Sequence, residues 1–274
     1  MFARWCQPAY QGRNRRELMQ HIDGSEISVA IDLDQGARIA SLQWRDLQVA
    51  VPFRGTPVSW GWYAMAPWAG RIRDGIIVDS KGEEKTLPTT WMPPNAIHGF
   101  GFHSSWEETG HGRARLELPA PYNGAVLSQS IEVLDDAVRW IVEYEANGCD
   151  LPAWLGFHPW FPRELSRGGE AEVEFSAKKM LIRGDDGLPD GRLVPPTPEP
   201  WDDTFTEVQG IPSVVWPGAL RISVESDVPW WTIYTEDTEG VCIEPQTAPP
   251  DAANLGITGD HYLEALFTLS LIHI

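Results

Sequence analysis

The chain is predicted to be all-β, a large antiparallel β-sandwich with few and short helices. Three observations carry that prediction. Apolar residues recur with period 2 along most of the 274 residues, the spacing of a strand with one buried face. No window combines a cap, a 3.6-residue period and a helical length of ten or more. Twenty-five Gly and 23 Pro punctuate the alternating runs, as expected of many short strands joined by tight turns.

The elements follow in order. Residues Arg13 to Ile22 have room for one or two helical turns at most. Ile27, Val29, Ile31 and Leu33 alternate with polar neighbours, and Asp34-Gln35-Gly36 supplies a turn. Ala37 to Val51 gives one or two strands with a break at Arg45-Asp46. Ala114, Leu116 and Leu118 alternate up to Pro119, and Val138, Trp140, Val142 and Tyr144 form the clearest strand. Further sets are Ala171, Val173 and Phe175, then Leu220, Ile222 and Val224, then Trp231 and Ile233, and finally Leu263 to Leu271. Gly184 to Trp201 is rich in proline but bracketed by strands, so it reads as a long loop at a sandwich mouth rather than a linker. There is no internal repeat. One domain over 1–274 is the expectation, since β domains of this length are commonly single.

Composition narrows the function. A net charge of −18 repels phosphate backbones and anionic lipid, which argues against nucleic acid and membrane surfaces as partners. Cys6, Cys149 and Cys242 lie far apart with no metal or redox spacing, the mark of free thiols in a reducing compartment. With no signal-like segment and no apolar run of membrane-spanning length, a cytoplasmic protein is expected. The 14 tryptophans either fill a large core or offer flat faces to a ligand such as a sugar, and the sequence leaves both open.

Two groups stand out as chemistry. Glu244 closes an apolar run from Gly240 and is followed by Pro245, with Pro249 and Pro250 close behind. Proline restricts the residue before it to extended geometry, so Glu244 is expected at the end of a strand where the chain leaves the sheet. His158, in Leu155-Gly-Phe-His-Pro-Trp-Phe161, is an imidazole also followed by proline, in an aromatic segment. Either could be a satisfied core group; together they make an acid/base pair. His98 lies in a glycine-rich turn, Asn95-Ala-Ile-His-Gly-Phe-Gly-Phe102, and His103 follows five residues later without a further ligand, which is no metal pattern. Arg71 offers a planar donor fork that suits hydroxyls or a carboxylate. Asp202 and Asp203 stand beside Trp201 as an Asx turn or as acceptors for vicinal hydroxyls. Phosphate loops, nucleophile elbows and dinucleotide fingerprints are absent.

In this order, Gly70-Arg71-Ile72, Asn95 to Phe100, Gly156 to Phe161, Trp201 to Phe205 and Ile243 to Asn254 resemble the aldose 1-epimerase (mutarotase) family over nearly the whole chain. The resemblance implies a galactose mutarotase-like supersandwich with an open polar cleft, a small sugar as partner, and neither metal nor cofactor. It also implies roles: Glu244 as base at the anomeric hydroxyl, His158 as acid at the ring oxygen, His98 near both, and Arg71 and Asp202 as hydroxyl binders. An Asn often stands where this chain has Gly70, and a Tyr where it has Trp160; the latter places a stacking surface in the cleft. An ordinary imidazole is only about a quarter protonated at pH 7, so Glu244 and the acidic chain are expected to raise the His158 pKa.

Three other readings stay open. A hexose-6-phosphate 1-epimerase needs Arg or Lys grouped at the cleft. A non-catalytic carbohydrate-binding protein needs no acid/base pair. A glycoside hydrolase would use Glu244 with Asp202 and leave His158 unexplained. Monomer and homodimer are equally compatible with the sequence.

Overall fold

A computed structural model describes residues 19–272. Two antiparallel sheets dominate. The larger has eleven strands. Its central run is Arg38–Trp44, Trp62–Met65, Gly156–Pro162, Gly240–Gln246, Trp230–Tyr234, Asp202–Val208 and Ala177–Arg183, in that spatial order. Met19–Asp23 and Ile27–Asp32 extend one edge and Pro189–Val194 the other. The second sheet has eight strands, with Val126–Val133, Ala137–Glu145 and Tyr262–Leu271 adjacent at its centre. The only α-helix among the described residues is Ala252–Leu255. The predicted all-β sandwich is what the chain forms.

The strands follow from the alternation read in the sequence. Ile27, Val29 and Ile31 are buried and their neighbours half-exposed; the same pattern runs along Ala137–Glu145 and Tyr262–Leu271. The apolar faces meet between the sheets in one core. Trp140 of the smaller sheet stacks on Phe157 of the larger at 4.0 Å, and Phe267 packs on Trp62 at 4.7 Å. Trp44, Trp62, Trp68, Trp140, Trp154 and Trp216 are fully buried. Most of the described tryptophans therefore fill the interior.

Three expectations need correction or limits. Gly184 to Trp201 is not wholly a loop: Pro189–Val194 pairs with Ala177–Arg183 as an edge hairpin. The helical turns allowed for Arg13 to Ile22 do not extend into the described part, where Met19–Asp23 is a strand paired to Ile27–Asp32. Residues 13–18, Cys6 and His273 lie outside the described residues. Cys149 and Cys242 are free thiols.

Candidate active site

Side chains alternate across a strand, so the central strands that send Phe157 and Phe161 into the core turn His158 and Trp160 to the opposite face. There the register builds a transverse row. His158 pairs with Tyr63, Glu244 with Thr232, and Thr232 with Thr204. Gly156↔Gln246 and Trp160↔Cys242 flank the seam between the two central strands, which sets His158 opposite Glu244. Imidazole and carboxylate meet there, with Nε2 of His158 3.3 Å from Oε1 of Glu244. Neither is more than 6% exposed.

Glu244 is not at a strand end. Its strand continues to Gln246 and is central in the sheet, an unusual place for a following proline. The structure shows how this is tolerated. Cα pairing is unbroken between Gly240–Gln246 and Trp230–Tyr234, and between Gly156–Pro162 and Trp62–Met65. It is interrupted only in the seam shared by Pro159 and Pro245, so both missing N–H donors fall in one place.

A second segment covers this face. Arg71–Ile72 pairs with Ala96–Ile97 in a two-stranded ribbon that brings Arg71 and His98 over the row. His98 adopts φ +57°, and its backbone N–H donates to Gly70 O at 2.9 Å. Gly99 follows at φ +73°, where a Cβ would lie 2.0 Å from Ala66 O; only glycine fits. A Cβ on Gly70, which has φ +70°, would lie 2.6 Å from Pro250, so a larger residue before Arg71 would need that proline to move. The His98 ring stands perpendicular to that of His158 at 5.1 Å, and Nδ1 of each is buried without a hydrogen-bond partner.

These groups line one cleft of about 440 Å³. Arg71, His98, His158, Trp160, Asp202 and Glu244 all border it, so the six residues singled out in the sequence come together. Arg71 donates to Gly187 O at 2.6 Å and to Oδ2 of Asp202 at 3.1 Å. Trp160 is not a free stacking surface: its ring stacks on His158 at 5.2 Å, lies under the Arg54 guanidinium, and its indole N–H donates to Val58 O. Trp201, beside Asp202, packs against Phe175 and Phe205.

Sequence reasoning missed several lining groups. Gln246 donates from Nε2 to Thr232 Oγ1 at 2.9 Å and to Oε2 of Glu244 at 3.3 Å. Thr232 in turn meets Thr204 Oγ1 at 2.8 Å. This relay fixes the rotation of the Glu244 carboxylate, and the buried Oε1 of Gln246 has no protein partner. Arg183 reaches Oδ2 of Asp202 at 2.6 Å and Glu236 at 3.3 Å. The i, i+2 spacing of Glu244 and Gln246 was a usable signal; Arg183 in Leu181-Ile-Arg183 carried none.

The electrostatics overturn one expectation. The His158 pKa is not raised but lowered to about 3, by burial first and then by Arg38. Arg38 is a buried cation, held by donation to the carbonyls of Gln35, Trp60 and Phe102. Its guanidinium lies 4.9 Å from the Tyr63 ring, which packs on His158 at 4.7 Å. Burial, followed by the nearby Asp202, pushes Glu244 well above the usual carboxylate range. Withdrawal from water disfavours both charged forms, and this outweighs the field of a chain whose negative charges are mostly on its surface. The two groups titrate as a coupled pair. Burial, His158 and Arg71 lower His98 well below its ordinary value, so it is a neutral imidazole.

Comparison with known proteins bears on the family and the fold. Residues 19–264 match the family model described as aldose 1-epimerase. A curated relative, the uncharacterized protein YihR of Escherichia coli K12, is 22% identical over 86% of this chain and 88% of its own. A solved structure from E. coli K12, described as a candidate aldose 1-epimerase, is 18% identical with a TM-score of 0.79, covering 93% of this chain and 99% of that one. A galactose mutarotase-like protein from Clostridium acetobutylicum is 16% identical with a TM-score of 0.74, covering 93% and 95%. At these identities the solved structures show a shared fold. The family match spans both sheets and every residue of the cleft, and the chain belongs to the aldose 1-epimerase family.

Proposed function

We propose that the protein interconverts the α and β anomers of a free aldohexose by acid/base ring opening and reclosure. The observation that carries this reading is the His158–Glu244 pair, two buried titratable groups 3.3 Å apart on the floor of a sugar-sized cleft. Opening a pyranose ring removes a proton from the anomeric hydroxyl and delivers one to the ring oxygen. Glu244 is the base for the first and His158 the acid for the second. The pair then holds its single proton as Glu-COOH with neutral imidazole, while the substrate is an open-chain aldehyde. Rotation about C1–C2 presents the other carbonyl face, and reclosure returns the proton to His158.

The burial of both groups supports this cycle. Low polarity favours the uncharged arrangement, the one that accompanies the aldehyde. Coulomb attraction at 3.3 Å favours carboxylate with imidazolium, the one that accompanies the ring. Burial has the upper hand before sugar binds, so the pair rests as Glu-COOH with neutral imidazole, and hydrogen bonds from the sugar must draw the proton to His158 before the ring opens. His98 is proposed as a neutral donor or acceptor near C1 and the ring oxygen. Arg71 and Asp202 are proposed to orient ring hydroxyls, and the unpartnered Oε1 of Gln246 to accept from another.

A 6-phosphorylated sugar is the second reading, favoured by the convergence of Arg71 and Arg183 on one oxygen of Asp202. Against it, Asp202, Asp203, Glu236, Asp237 and Glu244 border the same cleft, so two guanidiniums face five carboxyl groups. Polarimetry on freshly dissolved α-D-glucose, α-D-galactose and glucose 6-phosphate decides. Accelerated rotation change on a free aldose is expected. Turnover of the phosphate ester alone would replace the first reading with the second, and no acceleration on any aldose would remove both.

A further inference from the structure

Behind the acid/base pair the structure places a third donor, a soft one. Cys242 and Glu244 are two residues apart on one strand and so share its cleft-side face, and His158 lies across the seam from them. A ligand atom from each of His158, Cys242 and Glu244 lies within 4.8 Å of the other two, and all three residues are buried. We propose that these three side chains form a binding site for a thiophilic divalent cation, Zn²⁺ in the first instance, and that the occupied site is an inhibited state of the protein.

The donor chemistry selects the ion. One imidazole nitrogen, one thiolate and one carboxylate are a borderline-soft set, the kind that holds Zn²⁺ and not Mg²⁺ or Ca²⁺. Geometry supports it too. Tetrahedral Zn²⁺ with ordinary Zn–N, Zn–O and Zn–S bonds needs ligand atoms about 3.4 Å apart for N and O and about 3.6 Å apart for N and S. The His158–Glu244 separation of 3.3 Å already matches the first. Drawing Cys242 Sγ in closes the remainder by at most about an ångström, within reach of side-chain rotation. Three protein ligands leave a fourth position for water or a sugar hydroxyl on the cleft side. On binding, the thiol and the carboxyl group release their protons to solvent and the thiolate and carboxylate take the metal; no oxidant or reductant is involved. Cys242 has no part in the proton exchange, so the thiol is what distinguishes metal capture from catalysis.

The test uses the full chain stripped with a chelator. Equilibrium dialysis against ZnCl₂ should give one ion per chain, and Co²⁺ in place of Zn²⁺ should give the near-ultraviolet band of a thiolate–cobalt bond. Cys242→Ser should abolish that band and weaken Zn²⁺ at least about tenfold, with an unchanged circular-dichroism spectrum; Cys242→Ala is the second variant if Ser destabilises the core. Both metal readouts are independent of sugar turnover, so they stand even if no aldose is a substrate. Where mutarotation is measurable, Zn²⁺ should suppress it in the wild type and not in Cys242→Ser, and chelator should restore it. Zn²⁺ binding equally to wild type and variant, absence of the thiolate band, or no binding at all would overturn the proposal.

Discussion

On the Gly156–Pro162 strand, Phe157 and Phe161 pack between the sheets against Trp140 and Trp62, whereas His158 and Trp160 turn to the cleft. Both faces are buried, yet they are built from opposite materials. The inner face is apolar and interdigitated, and its burial contributes stability through area removed from water. The outer face, with the ribbon that covers it, buries an acid, two imidazoles, an amide and two threonine hydroxyls, each of which costs free energy unless partnered. One face holds the fold and the other is tolerated by it, a division expected where function is placed on a rigid sheet.

Three substitutions separate the faces. The largest effect is expected on the cleft side: Glu244→Gln and His158→Asn should each lower the mutarotation rate by about 10²–10⁴ while the folded fraction at 25 °C stays unchanged. Polarimetry beside circular dichroism reads both, and full activity in either variant would remove that residue from the proposed mechanism. Next comes the inner face. Phe157→Ala should cost about 3–5 kcal/mol of stability, seen in urea unfolding, while activity per folded molecule is retained. Loss of activity without loss of stability would mean that the two faces are not separable.

The smallest effect is the sharpest, because it depends on the sign of a pKa shift. The folded-state pKa of His158 is depressed to about 3 from 6.5, so its stabilising share is complete above pH 6.5 and is lost as pH falls from there toward 3. Glu244 runs the other way: its pKa is raised from 4.5, so its share is complete below pH 4.5 and declines as pH climbs through the raised value. His158→Asn should therefore flatten the acid side of a plot of melting temperature against pH, and Glu244→Gln the alkaline side. Phe157→Ala should shift the plot down in parallel. A parallel shift for all three variants would contradict the burial argument.

The sheets were legible because period-2 alternation is a local property; Ile27–Asp32, Ala137–Glu145 and Tyr262–Leu271 emerge where the pattern puts them. Glu244 and His158 were legible for a local reason too, the proline that follows each. Register was not. That Glu244 lies mid-strand, that His158 faces it, and that Gln246 leans on Thr232 are facts about which strands become neighbours. Arg183, and the place of Cys242 beside His158, became visible only through that pairing. The direction of the His158 shift was misread because a formal charge of −18 is a sum over the chain, whereas the local environment of that imidazole is decided by burial and by Arg38.

The transverse row has a further consequence for how the molecule comes into being. Tyr63, His158, Thr204, Thr232 and Glu244 reach one line only after strands from both halves of the chain have paired, and Arg71 reaches Asp202 across 131 residues. Contacts of such long sequence separation form late, because the loops they close are expensive in entropy. The proposed proton-transfer pair therefore depends on strand pairing across the larger sheet. An assay of the proposed mutarotation during refolding should report when the larger sheet is complete.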